Sequence, residues 1–173
     1  MNISETYKKA QKIKLIATDI DGVWTDSMMY YDINGVLMKT FSAYDGMGAD
    51  LLLKNNFIIA MITSEYENID ILKSRAKKLN IKEVYVNEKN KLLRLKYLMK
   101  KYNFKNENIA YIGDDINDLE ALKFAGLSAA PPETPILDYF KPNFITKRAS
   151  GHGAFRDLAD LILKSQNIHI RYQ

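Results

Sequence analysis

Ile13-Lys-Leu-Ile-Ala-Thr-Asp-Ile-Asp-Gly22 is an apolar run of strand length that ends in two carboxylates and a glycine. Its lack of polar alternation fits a strand buried on both faces. The same design recurs along the chain. Phe57 to Ile62 is apolar and ends in Thr63-Ser64, Val84 to Val86 is followed by Lys91, and Ile109 to Ile112 ends in Gly113-Asp114-Asp115. Between these runs, apolar residues recur at spacings of three and four: Ile69, Leu72, Ala76 and Leu79, then Leu92, Leu95, Met99 and Tyr102. That period is helical. Apolar strands alternating with amphipathic helices predict an α/β domain with a parallel sheet covered by helices on both faces. Ligands in such sheets bind beyond the carboxyl ends of the strands, where the polar residues just named fall.

The remaining elements follow from local signals. Ser4 to Gln11 reads as a short helix, and Met28 to Tyr31 and Val36 to Phe41 as a hairpin whose turn is marked by Asn34-Gly35. From Asp45 a glycine-containing segment leads into a helix over Ala49 to Asn55, and a later helix over Asn117 to Ala125 closes at Gly126. Leu127 to Ala129 is a small strand, Pro131-Pro132 stops regular structure, and Phe144-Ile145 is a candidate edge strand. A last helix, Ala154 to Lys164, precedes a polar tail ending at Gln173.

At 173 residues and 19.9 kDa the chain suits one domain, taken as 1–173. Hydrophobic residues at 47% and charged residues at 27% exclude a disordered or collagenous chain. The absence of cysteine excludes disulfides, thiolate zinc sites and cysteine nucleophiles. Any metal must bind oxygen or one of the two histidines. The net charge of +4 comes from lysines spread along the chain, which argues for a solvated surface and against nucleic acid. No apolar stretch approaches the ~18–20 residues that span a bilayer, so a cytoplasmic protein with no membrane partner is expected.

Residues two apart in a strand point the same way, so Asp19 and Asp21 place two carboxylates on one side as the chain leaves the sheet. With Asp114 they form an oxygen cage suited to Mg²⁺, which is typically held by one or two carboxylates together with phosphate and waters. A carboxylate beside that cation can attack phosphorus, with Lys91 and Thr63 holding the phosphoryl oxygens. Asp-x-Asp-Gly alone is a common turn, and here Val23 takes the fifth place, where a calcium loop of the EF-hand type needs an oxygen ligand. The ordered set of Asp19, Thr63, Lys91 and Asp114, each after an apolar strand, is what singles out catalysis.

Asp19-Ile-Asp-Gly-Val-Trp-Thr-Asp26, followed in order by Thr63, Lys91 and Gly113-Asp-Asp-Ile-Asn-Asp118, resembles the haloacid dehalogenase-like phosphatases from about Ile13 to Leu163. The hairpin about 26–41, Asp45-Gly46 and the glycine-rich Ser150 to Arg156 are similar to the small capless branch acting on phosphorylated 3-deoxy-2-ulosonate sugar acids. The resemblance implies a Rossmann-like sheet with no large cap domain. It implies Asp19 as nucleophile, Asp21 as general acid and base, and Thr63, Ser64 and Lys91 as phosphate ligands. Mg²⁺ would be held by Asp19, the Asp21 carbonyl and Asp114, with Asp115 and Asp118 supporting them. Asp45, Gly46, Glu65 and Lys78 would bind substrate, and a homotetramer built on the hairpin would complete each site from neighbouring copies.

Two departures matter. Ser64-Glu65 replaces the Gly-Arg usual in octulosonate 8-phosphate phosphatases, and Tyr44 replaces an arginine before Asp-Gly. A carboxylate at Glu65 suits sugar hydroxyls better than a substrate carboxylate, which tips the substrate toward a nine-carbon, sialic-acid-type 9-phosphate, with Lys78 as the companion of Glu65. Two other classes compete: a phosphoaspartate receiver module, which also uses strand-end acids, a Thr and a Lys, and a non-catalytic relative serving assembly. His152 reads as a loop residue, and Arg156 is open between capping a loop and reaching a neighbour's substrate.

Overall fold

The computed structural model describes residues 3–67 and 69–169, so the end of the polar tail lies outside the described residues. In chain order the elements are α1 (Ile3–Ala10), β1 (Leu15–Thr18), β2 (Tyr30–Asp32), β3 (Gly35–Met38), α2 (Ala43–Lys54), β4 (Ile58–Ile62), α3 (Ile69–Lys78) and β5 (Glu83–Tyr85). There follow α4 (Lys91–Lys101), β6 (Ile109–Ile112), α5 (Leu119–Phe124), β7 (Leu127–Ala130), β8 (Phe144–Ile145) and α6 (Ala154–Ser165). Six strands form one parallel sheet in the order β5-β4-β1-β6-β7-β8, and β2 and β3 pair separately as an antiparallel hairpin.

β1 is central and buried along its whole length. Its side chains alternate between the two faces, as a strand requires. Ile16 joins a core with residues of α1, α2, α3 and α6, while Leu15 and Ala17 join a second core with α4 and α5. Both layers therefore depend on the run quoted above. The register matches Thr18 with Met61 of β4 and with Ile112 of β6, so the chains leaving these strands emerge at one level. Strands fill outward from β1 in both directions, and its carboxyl end is the topological switch point.

Three local expectations change. The hairpin turn is carried by Ile33-Asn34, with Asp32 pairing Gly35; Asp32 Oδ1 accepts from the Asn34 amide at 2.8 Å and Gly35 takes a φ of +111°. The Asn-Gly signal thus marks the end of the turn. Helix α2 begins at Ala43, six residues before the expected Ala49, because Ser42 caps it by accepting from the Tyr44 amide at 3.1 Å. The expected helix from Asn117 starts as a 3-10 turn, Ile116–Asp118, since the Asp118 carboxylate is drawn back onto the amides of Asp114 and Asp115.

The early start of α2 relocates Asp45 and Gly46. Asp45 is 0% exposed, and its Oδ1 accepts from the Arg156 amide in the first turn of α6 at 2.9 Å. It supplies from α2 the cap that Gly153, which precedes α6, cannot. A Cβ at Gly46 would lie 2.7 Å from Arg75 Nη2, which donates to the Ser42 carbonyl at 3.0 Å. The pair joins α2, α3 and α6 and is buried, a packing role where the sequence suggests substrate ligands.

Burial pushes the Asp45 carboxyl up to about 6, although the Arg156 and Gly153 amides and Arg75 pull it down. A carboxyl raised on folding contributes stability that is present below its ordinary value near 4 and is lost as pH rises through the folded value. Against Asp45→Asn, the wild type should therefore lose of order 2 kcal/mol between about pH 4 and pH 7. Denaturant titrations of both proteins across that range check this; a stability difference that stays constant with pH contradicts it.

Candidate active site

At the carboxyl end of β1, Asp19 follows Thr18 directly, and its amide donates to the Ile112 carbonyl of β6 at 3.0 Å. Asp114 lies two residues past β6 and Thr63 one past β4. Lys91 opens α4 behind an Asn90 cap and turns inward, with only 2% of its surface exposed. Its Nζ lies 2.7 Å from Asp19 Oδ2 and 2.7 Å from Asp118 Oδ1. Burial alone would lower the Lys91 ammonium, but the two carboxylates outweigh it and hold the group above its ordinary value.

Asp118 is fully committed. Oδ1 also accepts from the Tyr111 hydroxyl at 2.6 Å, and Oδ2 accepts from the amides of Asp114 at 3.0 Å and Asp115 at 3.3 Å. These bonds fix the loop that presents Asp114. Asp115, by contrast, is exposed and accepts from the Ile116 amide, so it shapes the turn from outside the cluster. Asp114 Oδ1 is buried and has no hydrogen-bond partner among the described residues. Oxygens of Asp19, Asp114 and Asp118 lie within 4.8 Å of one another.

This donor set fits a hard divalent cation. Burial and then the Asp118 charge push Asp19 well above the usual carboxylate range, and the same two causes push Asp114 up to about 7. Three carboxylates against one ammonium leave two negative charges in a buried space, which a single divalent ion would neutralise. Gly22 makes room for the cage. It sits at φ +87°, and a Cβ there would lie 1.9 Å from Asp114 Oδ2, so any other residue would push into that carboxylate.

The second carboxylate of the same motif has other partners. Asp21 Oδ1 accepts from Thr25 Oγ1 at 3.3 Å, and both its oxygens accept from Lys39 Nζ, at 2.9 and 2.7 Å. Lys39 lies just past β3 and also stands 3.9 Å from Glu65 Oε2. Thr63 is buried and accepts at Oγ1 from the Glu65 amide at 3.0 Å, while the Ser64 hydroxyl donates to the Glu88 carbonyl at 3.2 Å. Glu65 Oε1 accepts from the amides of Tyr66 and Glu67.

Asp19, Asp21, Thr63, Ser64, Glu65, Lys91, Asp114 and Asp118 thus gather at one end of the sheet. Lys78 does not join them. It is exposed in the last turn of α3, a helix whose ten residues span about 15 Å, and the cation facing Glu65 is Lys39. Glu65 lies just before the start of α3 and Lys78 at its other end, so Lys78 is not the expected companion of Glu65 in this arrangement. His152 is exposed on its loop, with Nδ1 at 2.8 Å from the Ser150 carbonyl, and Arg156 pairs with Asp160 at 2.8 Å. Trp24 is buried against Phe155 of α6, its Nε1 donating to Thr18 Oγ1 at 3.1 Å.

Sequence reasoning missed Lys39 and Tyr111. A tyrosine inside the apolar strand Ile109–Ile112 was a usable signal, because a buried hydroxyl needs a partner. Lys39 gave none, since its value depends on where the hairpin sends the chain.

Known proteins resemble this one over nearly its whole length. Residues 3–131 match the model of the haloacid dehalogenase-like hydrolase family. The 3-deoxy-D-manno-octulosonate 8-phosphate phosphatase of Escherichia coli K12 is 32% identical over 163 residues, 94% of this chain and 86% of that protein. The crystal structure of the phosphatase of the same name from Moraxella catarrhalis, in complex with magnesium, phosphate and KDO, superposes with a TM-score of 0.89 at 36% identity, covering 95% of this chain and 93% of the other. A cobalt-bound phosphatase from Haemophilus influenzae gives a TM-score of 0.86 at 34% identity, with 92% of each chain covered.

Replacing Lys91 with Met leaves Asp19 and Asp118 buried without their cation. The expected loss is about 3–5 kcal/mol of stability and at least ~100-fold in turnover. Denaturant titration and steady-state assay check it; a variant of unchanged stability and near-normal turnover contradicts the role assigned to Lys91.

Proposed function

The chain belongs to the haloacid dehalogenase-like hydrolase family, and on that footing we propose that it is a Mg²⁺-dependent phosphomonoesterase acting on phosphorylated 3-deoxy-2-ulosonate sugar acids. The observation that carries this reading is the buried cluster of Asp19, Lys91, Asp114 and Asp118, with the Lys39-held carboxylate of Asp21 two residues on from Asp19. It is supported by the Moraxella relative, whose crystals hold magnesium, phosphate and the sugar acid.

Asp19 and Asp114, with the Asp21 backbone carbonyl, would hold the metal. When bound, Mg²⁺ supplies positive charge against the phosphoryl oxygens and keeps both carboxylates ionised. Lys91 orients Asp19 through its 2.7 Å bond, leaving the other carboxylate oxygen to attack phosphorus. As the bond from phosphorus to the sugar oxygen breaks, Asp21 gives that oxygen a proton, and the phosphoryl group rests on Asp19 as an acyl phosphate. Asp21 then takes a proton from water, the water oxygen attacks phosphorus, and phosphate leaves with Asp19 restored. Thr63, Ser64 and Lys91 receive the phosphoryl oxygens.

Glu65 inclines the substrate toward a nine-carbon 9-phosphate, because it sets an anchored carboxylate where an arginine would meet the acid group of an eight-carbon substrate. The named relatives support the eight-carbon 8-phosphate as the second reading. The hairpin presents Met28, Tyr31, Ile33 and Leu37 to solvent, with Ile33 wholly exposed. That surface supports a homotetramer whose neighbouring copies cover it and close the site.

Specificity constants measured side by side for the eight-carbon and nine-carbon substrates test both levels. The nine-carbon substrate should be preferred, Glu65→Arg should shift preference toward the eight-carbon one by about tenfold or more, and Asp19→Asn should abolish turnover of both. An unmoved preference in Glu65→Arg overturns the substrate argument. Turnover by Asp19→Asn equal to wild type overturns the mechanism, and a long-lived phosphoprotein without turnover returns the receiver reading.

A further inference from the structure

We propose that Lys39 is the positioning residue for Asp21: it carries the hairpin's hold on the proton donor and is required for protonation of the leaving sugar oxygen. The inference rests on the reading of Asp21 as general acid, and it adds a residue that the motifs do not contain.

The geometry is specific. Lys39 Nζ contacts both Asp21 oxygens, at 2.9 and 2.7 Å, which fixes the rotation of the carboxyl group as well as its position. The other side-chain partner, Thr25 Oγ1, reaches only Oδ1 and at 3.3 Å, near the limit of a hydrogen bond. The Lys39 side chain is 6% exposed, although all of β2 and the last two residues of β3, Leu37 and Met38, are exposed. A lysine this enclosed has lost the freedom of an ordinary surface lysine, and its ammonium must be matched by nearby acceptors.

Those acceptors form a chain. Glu65 is pinned by the amides of Tyr66 and Glu67 at 2.8 and 2.9 Å, and its free oxygen stands 3.9 Å from Lys39 Nζ, which in turn grips Asp21. Lys39 lies between one carboxylate fixed to the loop after β4 and another on the loop after β1. The cavity lined by Asp21, Lys39, Thr63, Glu65 and Glu67 has a volume of only ≈ 10 Å³, about one water. Water has little room to replace the ammonium. Because Lys39 directly follows the strand Gly35–Met38, the seating of the hairpin sets where Asp21 points. A general acid must lie within hydrogen-bond reach of the departing oxygen, and a small misplacement is costly in rate.

The test separates positioning from general damage by the leaving group. A sugar alkoxide needs a proton as it departs, whereas p-nitrophenolate leaves without one. With Lys39→Met, the single-turnover rate of alkyl phosphate cleavage should fall by ~100-fold or more. The p-nitrophenolate burst, which reports phosphoryl transfer to Asp19 before Asp21 is needed as a base, should fall less than about fivefold. Lys39→Arg, which keeps a cation able to grip both oxygens, should recover most of the alkyl rate. Equal losses on both substrates, or no loss on either, would overturn the proposal. Running the assay with β-glycerophosphate beside the sugar-acid phosphates keeps the two readings distinct. A wild type that cleaves β-glycerophosphate and no sugar-acid phosphate loses its proposed substrate, while the Lys39 comparison still decides the role of that residue.

Discussion

A single ammonium group lies at the centre of this molecule's electrostatics. Lys91 lies buried at the first turn of α4, 2.7 Å from Asp19 at the end of β1 and 2.7 Å from Asp118 beyond β6. Carboxylates at that depth carry a heavy desolvation cost, and only close pairing or a metal makes it tolerable. Lys91 offsets one of the three charges. The remaining two give the site its appetite for a divalent cation and so tie the stability of the sheet end to its chemistry. The interaction also joins three segments far apart in the chain, since α4, β1 and the loop after β6 must all reach their places before any of these groups is satisfied.

The backbone constrains the same point from the other side. Gly22 passes so near Asp114 that no side chain fits, and its carbonyl accepts from the Ser150 hydroxyl at 2.5 Å. The Gly151 amide donates to the Val23 carbonyl at 3.0 Å, and Trp24 packs tilted against Phe155 with ring centroids 4.5 Å apart. The loop of the first motif is therefore held between the β6 loop and the start of α6, while Asp45 caps that helix from α2. Preorganisation of this kind would hold Asp19, the proposed nucleophile, aimed without reorganising during reaction.

Much of this was legible in the chain itself. The apolar runs ending at Asp19, Thr63 and Asp114 are short, continuous and free of alternation, so they disclosed a doubly covered parallel sheet, and the sheet rule then placed the site. Lys91 was legible only as part of the ordered set with Asp19, Thr63 and Asp114, since a lysine at the start of a helix is by itself more often a surface residue. Asp45-Gly46 was misread because its job is set by contacts with Arg75 and Arg156, residues roughly 30 and 110 positions away, and no local pattern reports such packing. The distance of Lys78 from Glu65 was illegible for a related reason: α3 carries several lysines, and which end of the helix faces the site is a property of the fold. Lys39 was invisible because a hairpin's exit direction depends on its docking.

In the proposed reaction Asp19, oriented by Lys91, carries the phosphoryl group between the sugar and water. The most direct measurement is an acid-quenched single turnover with substrate labelled in its phosphate, followed by peptide mapping. Transient label is expected on the peptide containing Asp19, appearing as the sugar is released and vanishing as phosphate forms. Sugar and phosphate released together with no labelled peptide, or label on a peptide lacking Asp19, would contradict it.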